Sequence, residues 1–345
     1  MPESLMLSEA REAAAIASRQ IASNRDEIMR IVAALKALDP PFIATLARGS
    51  SDHAASFAKV LFETRLGLPV VSHAPSTGSL YGVTSPKFAR VPLLALSQSG
   101  RSPDLLTAAA DAKRVGAIVV AIVNDTASPL AALADHVIPL GAGPERSVAA
   151  TKSFIATLTA LAQIAAIWGG DAILDQALDS VGDALAASFA LDWSAALPVL
   201  SDAQSLLVLG RGLTLPIAGE AALKLKETAA IHAEAFSIAE VAHGPMTLIN
   251  EGDPVFLFCP EDAAREGTAA RIRAFKERGA FVIAAGDAAD TEGAAIRLPI
   301  VAHAHPVIGA IGQVASFYRL AEGVARARGR DPDHPPYLSK VTSTL

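Results

Sequence analysis

Glu220, Lys224 and Glu227 stand four and three residues apart, which puts two carboxylates and an ammonium on one face of a helix. That helix follows Gly210-Arg-Gly212, a glycine turn after the apolar run 205–209. Ligands of open α/β sheets gather at the carboxyl ends of the strands, so a carboxylate beside an ammonium there is a plausible acid/base pair. A solvated ion-pair stripe has the same spacing; the Ala- and Leu-rich surroundings of the trio argue against it. Further on, His243 precedes Gly-Pro, which predicts a turn where the imidazole is not locked in a core, although a lone histidine is more often structural than catalytic.

A second constellation suits an anion. The apolar run 91–96 leads directly into Ser97-Gln-Ser-Gly-Arg-Ser102, and Pro103 opens the next helix. Ser102 is a good N-cap, and proline is well placed where no N–H is needed. A helix N-terminus favours negative charge, Ser97, Ser99 and Ser102 add hydroxyls, and Gly100 lets backbone approach closely. The same pattern would also serve a serine-rich turn that only caps its helix. At the matching place in the second half the chain reads Cys259-Pro-Glu-Asp262, without the serines and acidic, so only the first half looks built for a phosphate.

Both sites need strands that end together. Runs at 42–46, 91–96, 117–123 and 137–140 alternate with helical segments at 51–65, 103–115 and 149–168, after one or two amphipathic helices over 7–38. Beyond a linking helical region the pattern repeats. Leu46-Ala-Arg-Gly49 returns as Leu209-Gly-Arg-Gly212, and Ala112-Lys-Arg-Val-Gly-Ala117 as Phe275-Lys-Glu-Arg-Gly-Ala280, both 163 residues later. The expectation is a duplicated α/β fold of two tandem, doubly wound, flavodoxin-like parallel sheets. Its parts are a helical lead over 1–38, domains over 39–190 and 191–330, and a proline-punctuated tail over 331–345 that lies over a surface.

The 345 residues suit two such units, with 51% hydrophobic and 19% charged residues to fill two cores. No membrane span or signal peptide is expected. A single cysteine, Cys259, fits a reducing compartment, and a net charge of −6 without a basic stripe argues against nucleic acid. The reading is a cytoplasmic protein with no nucleic-acid or membrane partner. His303-Ala-His305 has no evident third ligand, so no metal and no cofactor are expected.

Taken together, these residues resemble the isomerase half of glutamine–fructose-6-phosphate aminotransferase, which consists of two sugar-isomerase (SIS) domains. The resemblance rests on Gly219-Glu-Ala-Ala-Leu-Lys-Leu-Lys-Glu227, Ile231-His-Ala-Glu-Ala235, His243-Gly-Pro245, Gly49-Ser-Ser51, Ser97-Gln-Ser-Gly100, Val148-Ala-Ala-Thr-Lys152 and Leu338-Ser-Lys-Val-Thr342. It implies a phosphosugar substrate, a hexose 6-phosphate or its 2-amino derivative. Ser51, Ser97, Gln98, Ser99, Gly100 and Ser102 would hold the phosphate, and Gly49, Ser50, Val148 and Ser339 would line the sugar site. Glu227 would shuttle the proton between C1 and C2, with Glu220 and Lys224 tuning it. His243 would open the ring, reaching over from the neighbouring subunit of a homodimer with shared active sites, and Lys340 would form a Schiff base with the open-chain ketose.

The chain also departs from the family pattern. Arg101 replaces a usual acidic residue, Ser102 a threonine, Ala242 a lysine and Pro336 an arginine. It opens Met1-Pro2, where the synthase has a glutaminase domain with an N-terminal cysteine, so no glutamine-dependent reaction is expected. The favoured reaction is deamination of glucosamine 6-phosphate to fructose 6-phosphate and ammonia. Aldose–ketose isomerisation of another phosphosugar and deglycation of a 6-phosphorylated sugar amine are the alternatives, and a non-catalytic phosphosugar sensor is the rival of another class.

Overall fold

The computed structural model describes residues 3–340. Among them, β1 (Ile43–Leu46), β2 (Val70–Ser72), β3 (Pro92–Ser97), β4 (Ile118–Val123) and β5 (His136–Pro139) form one sheet, in the order β2-β1-β3-β4-β5. A second sheet holds β6 (Ser205–Gly210), β7 (His232–Ser237), β8 (Pro254–Phe258), β9 (Phe281–Ala285) and β10 (Ile296–Leu298), in the order β10-β9-β8-β6-β7. Every pairing is parallel. Counted within its own half, each sheet reads 2-1-3-4-5, so the repeat seen in sequence is a repeat of topology. In this order the strand sequence reverses between the first and third strands, and that switch point is where such sheets bind ligands.

The chain divides into two compact units whose segments interleave. One comprises 15–145, 152–180 and 339–340 and contains the first sheet. Its β3 is buried at all six positions, with Leu93, Leu94 and Ala95 in register with Ala44, Thr45 and Leu46 of β1. A strand covered on both faces reads as an unbroken apolar run, which is why 91–96 stood out. The helix Ser50–Leu66 packs on the helix Lys152–Gly169. The latter does have the length and apolarity of a membrane span, contrary to the sequence expectation; 83% of that span is buried inside the protein, as in a core helix.

The other unit comprises 3–14, 146–151 and 181–338 and contains the second sheet. Phe256 and Phe258 of β8 meet Phe317 of the helix Pro306–Ala327 edge-on, at centroid separations of 5.7 and 5.6 Å. That helix packs in turn on the helix Thr214–Ala229, which carries Glu220, Lys224 and Glu227. The lead over 7–38 forms one continuous helix, Leu5–Ala37. Its first amides, on Leu5 and Met6, donate to the Asp333 carboxylate at 2.8 and 2.7 Å, an N-cap supplied from the far end of the sequence. Between 331 and 340 the tail forms turns and bends, with no regular element.

Candidate active site

In the first unit, the loops after β1 and β3 leave adjacent strands at the switch point. Gly100 has a φ of +63°, and a Cβ there would lie 2.2 Å from Ser128 Oγ, so only glycine fits. The Gly100 amide donates to Ser97 Oγ at 3.0 Å, and the Arg101 amide to Ser99 Oγ at 3.4 Å. Ser102 holds the N-cap position of the helix Pro103–Arg114, yet its hydroxyl makes no cap bond. Beneath the loop, Arg48 grips the buried Asp104 carboxylate through Nε at 2.9 Å and Nη2 at 2.8 Å. This ties the residues before Gly49-Ser50-Ser51 to the first turn of the helix Pro103–Arg114. Gln98 and Ser99 are half-buried there, as are Ser50 and Ser51. Sequence reading missed the Arg48–Asp104 clamp; its signal was an acidic residue beside the proline in a first helical turn.

The tail lysine belongs to this same unit. Lys340 Nζ lies 2.8 Å from Oε2 of Glu145, whose side chain is fully buried. Glu145 also accepts from the Ser153 amide at 3.1 Å and the Ser153 hydroxyl at 2.6 Å. The carboxylate is therefore held rigidly, and it fixes the amine that follows the exposed stretch 336–339. Ser339 is exposed beside it, and Val341 and Thr342 of the tail motif lie outside the described residues. Glu145 was not foreseen from sequence. Its replacement by Gln keeps the hydrogen bonds of Ser153 but removes the charge facing the lysine. If Lys340 forms the Schiff base that the resemblance implies, Glu145→Gln should lower the yield of borohydride-trapped sugar on Lys340 by about tenfold. Unchanged trapping would show that Glu145 only packs the tail.

In the second unit, the helix Thr214–Ala229 begins after β6, at Gly210-Arg-Gly212. A Cβ on Gly210 would lie 2.3 Å from the Thr214 carbonyl oxygen, so the turn is closed tightly enough to require glycine. The trio is not a solvated stripe. Glu220 and Lys224 are fully buried and Glu227 half-buried. Lys224 Nζ lies 3.5 Å from Glu220 Oε1 and 2.5 Å from Glu227 Oε2, bridging the two carboxylates. The buried Tyr318 hydroxyl donates to Glu220 Oε1 at 3.0 Å, a partner that sequence reading did not supply. One carboxylate is thus anchored on the protein side while the other reaches toward solvent.

His243 ends a short 3₁₀ turn, Glu240–His243, and is exposed, in line with the turn read from Gly-Pro. Val148 is half-buried in this unit, and its amide donates to the Asp333 carbonyl at 3.2 Å. The amides before it, on Arg146 and Ser147, donate to the Glu9 carboxylate at 2.6 and 3.2 Å. The Val148 segment is therefore held by the N-terminal helix and by the root of the tail.

The counterpart of the serine loop is filled by the protein itself. A Cβ on Gly309 would lie 2.0 Å from Glu261 Oε1, so the Glu261 carboxylate occupies the space beside the helix Pro306–Ala327. Burial pushes this carboxyl up to about 7 from an ordinary 4.5, against a hydrogen bond from Gln313. A raised carboxyl favours the protonated fold, so its contribution is complete below 4.5 and is lost as pH rises through about 7. Glu261→Gln is expected to match the parent at pH 4.5 and exceed it by about 1–2 kcal/mol at pH 8, after allowance for partial exposure. Melting curves at the two pH values test this; a constant difference between the proteins would refute it.

Among the described residues no group of three or more His, Cys, Asp or Glu side chains could hold a metal ion. His305 instead caps the helix Pro306–Ala327, accepting from the Val307 amide at 3.2 Å, and His303 lies 3.3 Å from Ser188 Oγ.

The chain belongs to the SIS-domain family, whose pattern it matches twice, over residues 39–167 and 199–314. It is 35% identical over 312 residues to the glutamine–fructose-6-phosphate aminotransferase (isomerizing) of Halobacterium salinarum, covering 86% of this chain and 50% of that protein. The chain thus spans about half the length of the curated relatives it matches. Among solved structures it is similar to a candidate phosphosugar isomerase of Silicibacter pomeroyi, with 40% identity, a TM-score of 0.89 and coverage of 96% and 100% of the two chains. It is also similar to the C-terminal domain of the Francisella tularensis glucosamine-fructose-6-phosphate aminotransferase, with 26% identity, a TM-score of 0.87 and coverage of 97% and 99%.

Proposed function

We propose that the chain is a phosphosugar enzyme that converts glucosamine 6-phosphate and water into fructose 6-phosphate and ammonia. The observation that carries a catalytic reading over a sensor is the buried Glu220–Lys224–Glu227 bridge, with one carboxylate anchored by Tyr318 and the other facing outward. Keeping an ion pair out of water is costly, and ligand binding alone gives no reason for it.

In this reading the serines of the Ser97–Ser102 loop, Gln98 and Ser51 hold the phosphate, and His243 opens the ring. Glu227 takes the proton from C2 and returns it to C1, which turns the amino aldose into a 2-imino ketose. Water adds to the imine carbon, and ammonia leaves with the proton it needs. Lys340 captures the open-chain ketose in the reverse sense, its nitrogen held ready by Glu145. We also propose a cytoplasmic homodimer, in which the exposed His243 serves the neighbouring subunit's site; an active monomer on gel filtration would refute that part.

The test is incubation with glucosamine 6-phosphate without glutamine, with ammonia and fructose 6-phosphate measured together. Equal release of both supports the proposal. Sugar binding without release would refute the deaminase and favour isomerisation of another phosphosugar, the reading closer to the 40% identical Silicibacter pomeroyi protein.

A further inference from the structure

Arg101 stands inside the serine loop, and its guanidinium does not point freely into solvent. Nη2 reaches Asp125 Oδ2 at 2.8 Å. Asp125 follows β4, the neighbour of β3, so the pair joins two loops at the carboxyl edge of the first sheet. Both ends are fixed by their own backbones. The Arg101 amide is held on Ser99 Oγ, and Asp125 Oδ1 accepts the Ala127 amide at 3.0 Å. The Arg101 bond also keeps the Asp125 carboxyl below its usual range. Asp125 is therefore a stationary negative charge beside a loop of hydroxyls suited to an anion, masked by one cation.

The second half carries a related brace, but in a different state. Arg265 is clamped between Asp287 at 2.6 Å and Asp290 at 3.0 Å, and the adjacent loop space is taken by Glu261. Where the loop is filled from within, the arginine is held by two carboxylates. Where the serines remain, it pairs with Asp125 alone among the described ion pairs, and both partners stay half exposed. An arginine that can exchange one exposed carboxylate for a phosphate gains charge and a bidentate match, because a phosphate dianion offers more of both.

We propose that Arg101 is a specificity-setting phosphate ligand, stored on Asp125 until a phosphate monoester enters the loop and then exchanged from Asp125 to the dianion. The proposal rests on the phosphosugar reading above. It makes Asp125 a competitor of the substrate, so removing its charge should tighten binding, an outcome that a mere loop brace would not give.

Titration calorimetry of the full chain with glucitol 6-phosphate, which has no carbonyl to react, tests this without turnover. Arg101→Ala is expected to weaken binding at least tenfold and Arg101→Lys by less. Asp125→Asn is expected to tighten it about two- to fivefold, and to have no effect when Arg101 is already Ala. Arg101→Ala binding as the parent does, or Asp125→Asn binding more weakly, would overturn the proposal while leaving the phosphosugar reading intact. No binding by the parent protein would overturn both.

Discussion

Glu227→Gln is expected to lower kcat for ammonia release by about a thousandfold while changing KM less than threefold. Glutamine has the size of glutamate and keeps an oxygen to accept from Lys224 Nζ, which lies 2.5 Å from Glu227 Oε2. In the proposed reaction, what disappears is the ability to take a proton from carbon and return it one atom away. Substrate contacts made elsewhere survive, so binding and turnover should separate cleanly. Paired measurements of kcat by ammonia release and of affinity for glucitol 6-phosphate give the answer. A variant within threefold of the parent in kcat would remove Glu227 from the chemistry, and with it the case for an enzyme built on this helix.

The second large effect is on stability. Lys224 is fully buried between Glu220, also fully buried, and Glu227. Lys224→Met fits the same slot but takes away the cation, leaving the Glu220 charge inside with its Tyr318 bond. Breaking one partner of a buried pair costs about 3–5 kcal/mol, more than the net worth of the pair itself. The loss should shrink at low pH, where Glu220 can take up a proton, and the double variant Glu220→Gln/Lys224→Met should recover at least half of it. Urea unfolding of the three proteins at pH 5 and 8 measures this. Equal midpoints for Lys224→Met and the parent would mean that the bridge contributes nothing to holding the helix in place.

What was readable in advance follows the range over which each signal acts. The trio was legible because a helix brings residues three and four apart onto one face. The serine loop was legible because β3 is buried on both sides and so announces where its apolar run stops. The common 163-residue offset foreshadowed the shared strand order of the two sheets. Strands β2 and β10 were invisible: each has three residues, partly exposed, too few for a period to register. Tyr318 and Glu145 escaped for a different reason. They meet their partners across 98 and 195 residues of sequence, and no local pattern encodes a distance that only the fold closes. The Ser102 hydroxyl was expected to cap its helix and does not, because the cap preference is statistical and the Arg48–Asp104 clamp already fixes that turn.

The interleaving of segments bears on how this gene could change. The two halves share one strand order, yet the unit around the second sheet takes in residues 3–14 and 146–151 from the first half. The unit around the first sheet takes its lysine from the last residues described. A recombination that swapped either half for a relative's would cut both units at once, separating the Leu5 and Met6 amides from Asp333 and Glu145 from Lys340. Exchange of one half therefore breaks direct bonds inside each unit, whichever half is replaced.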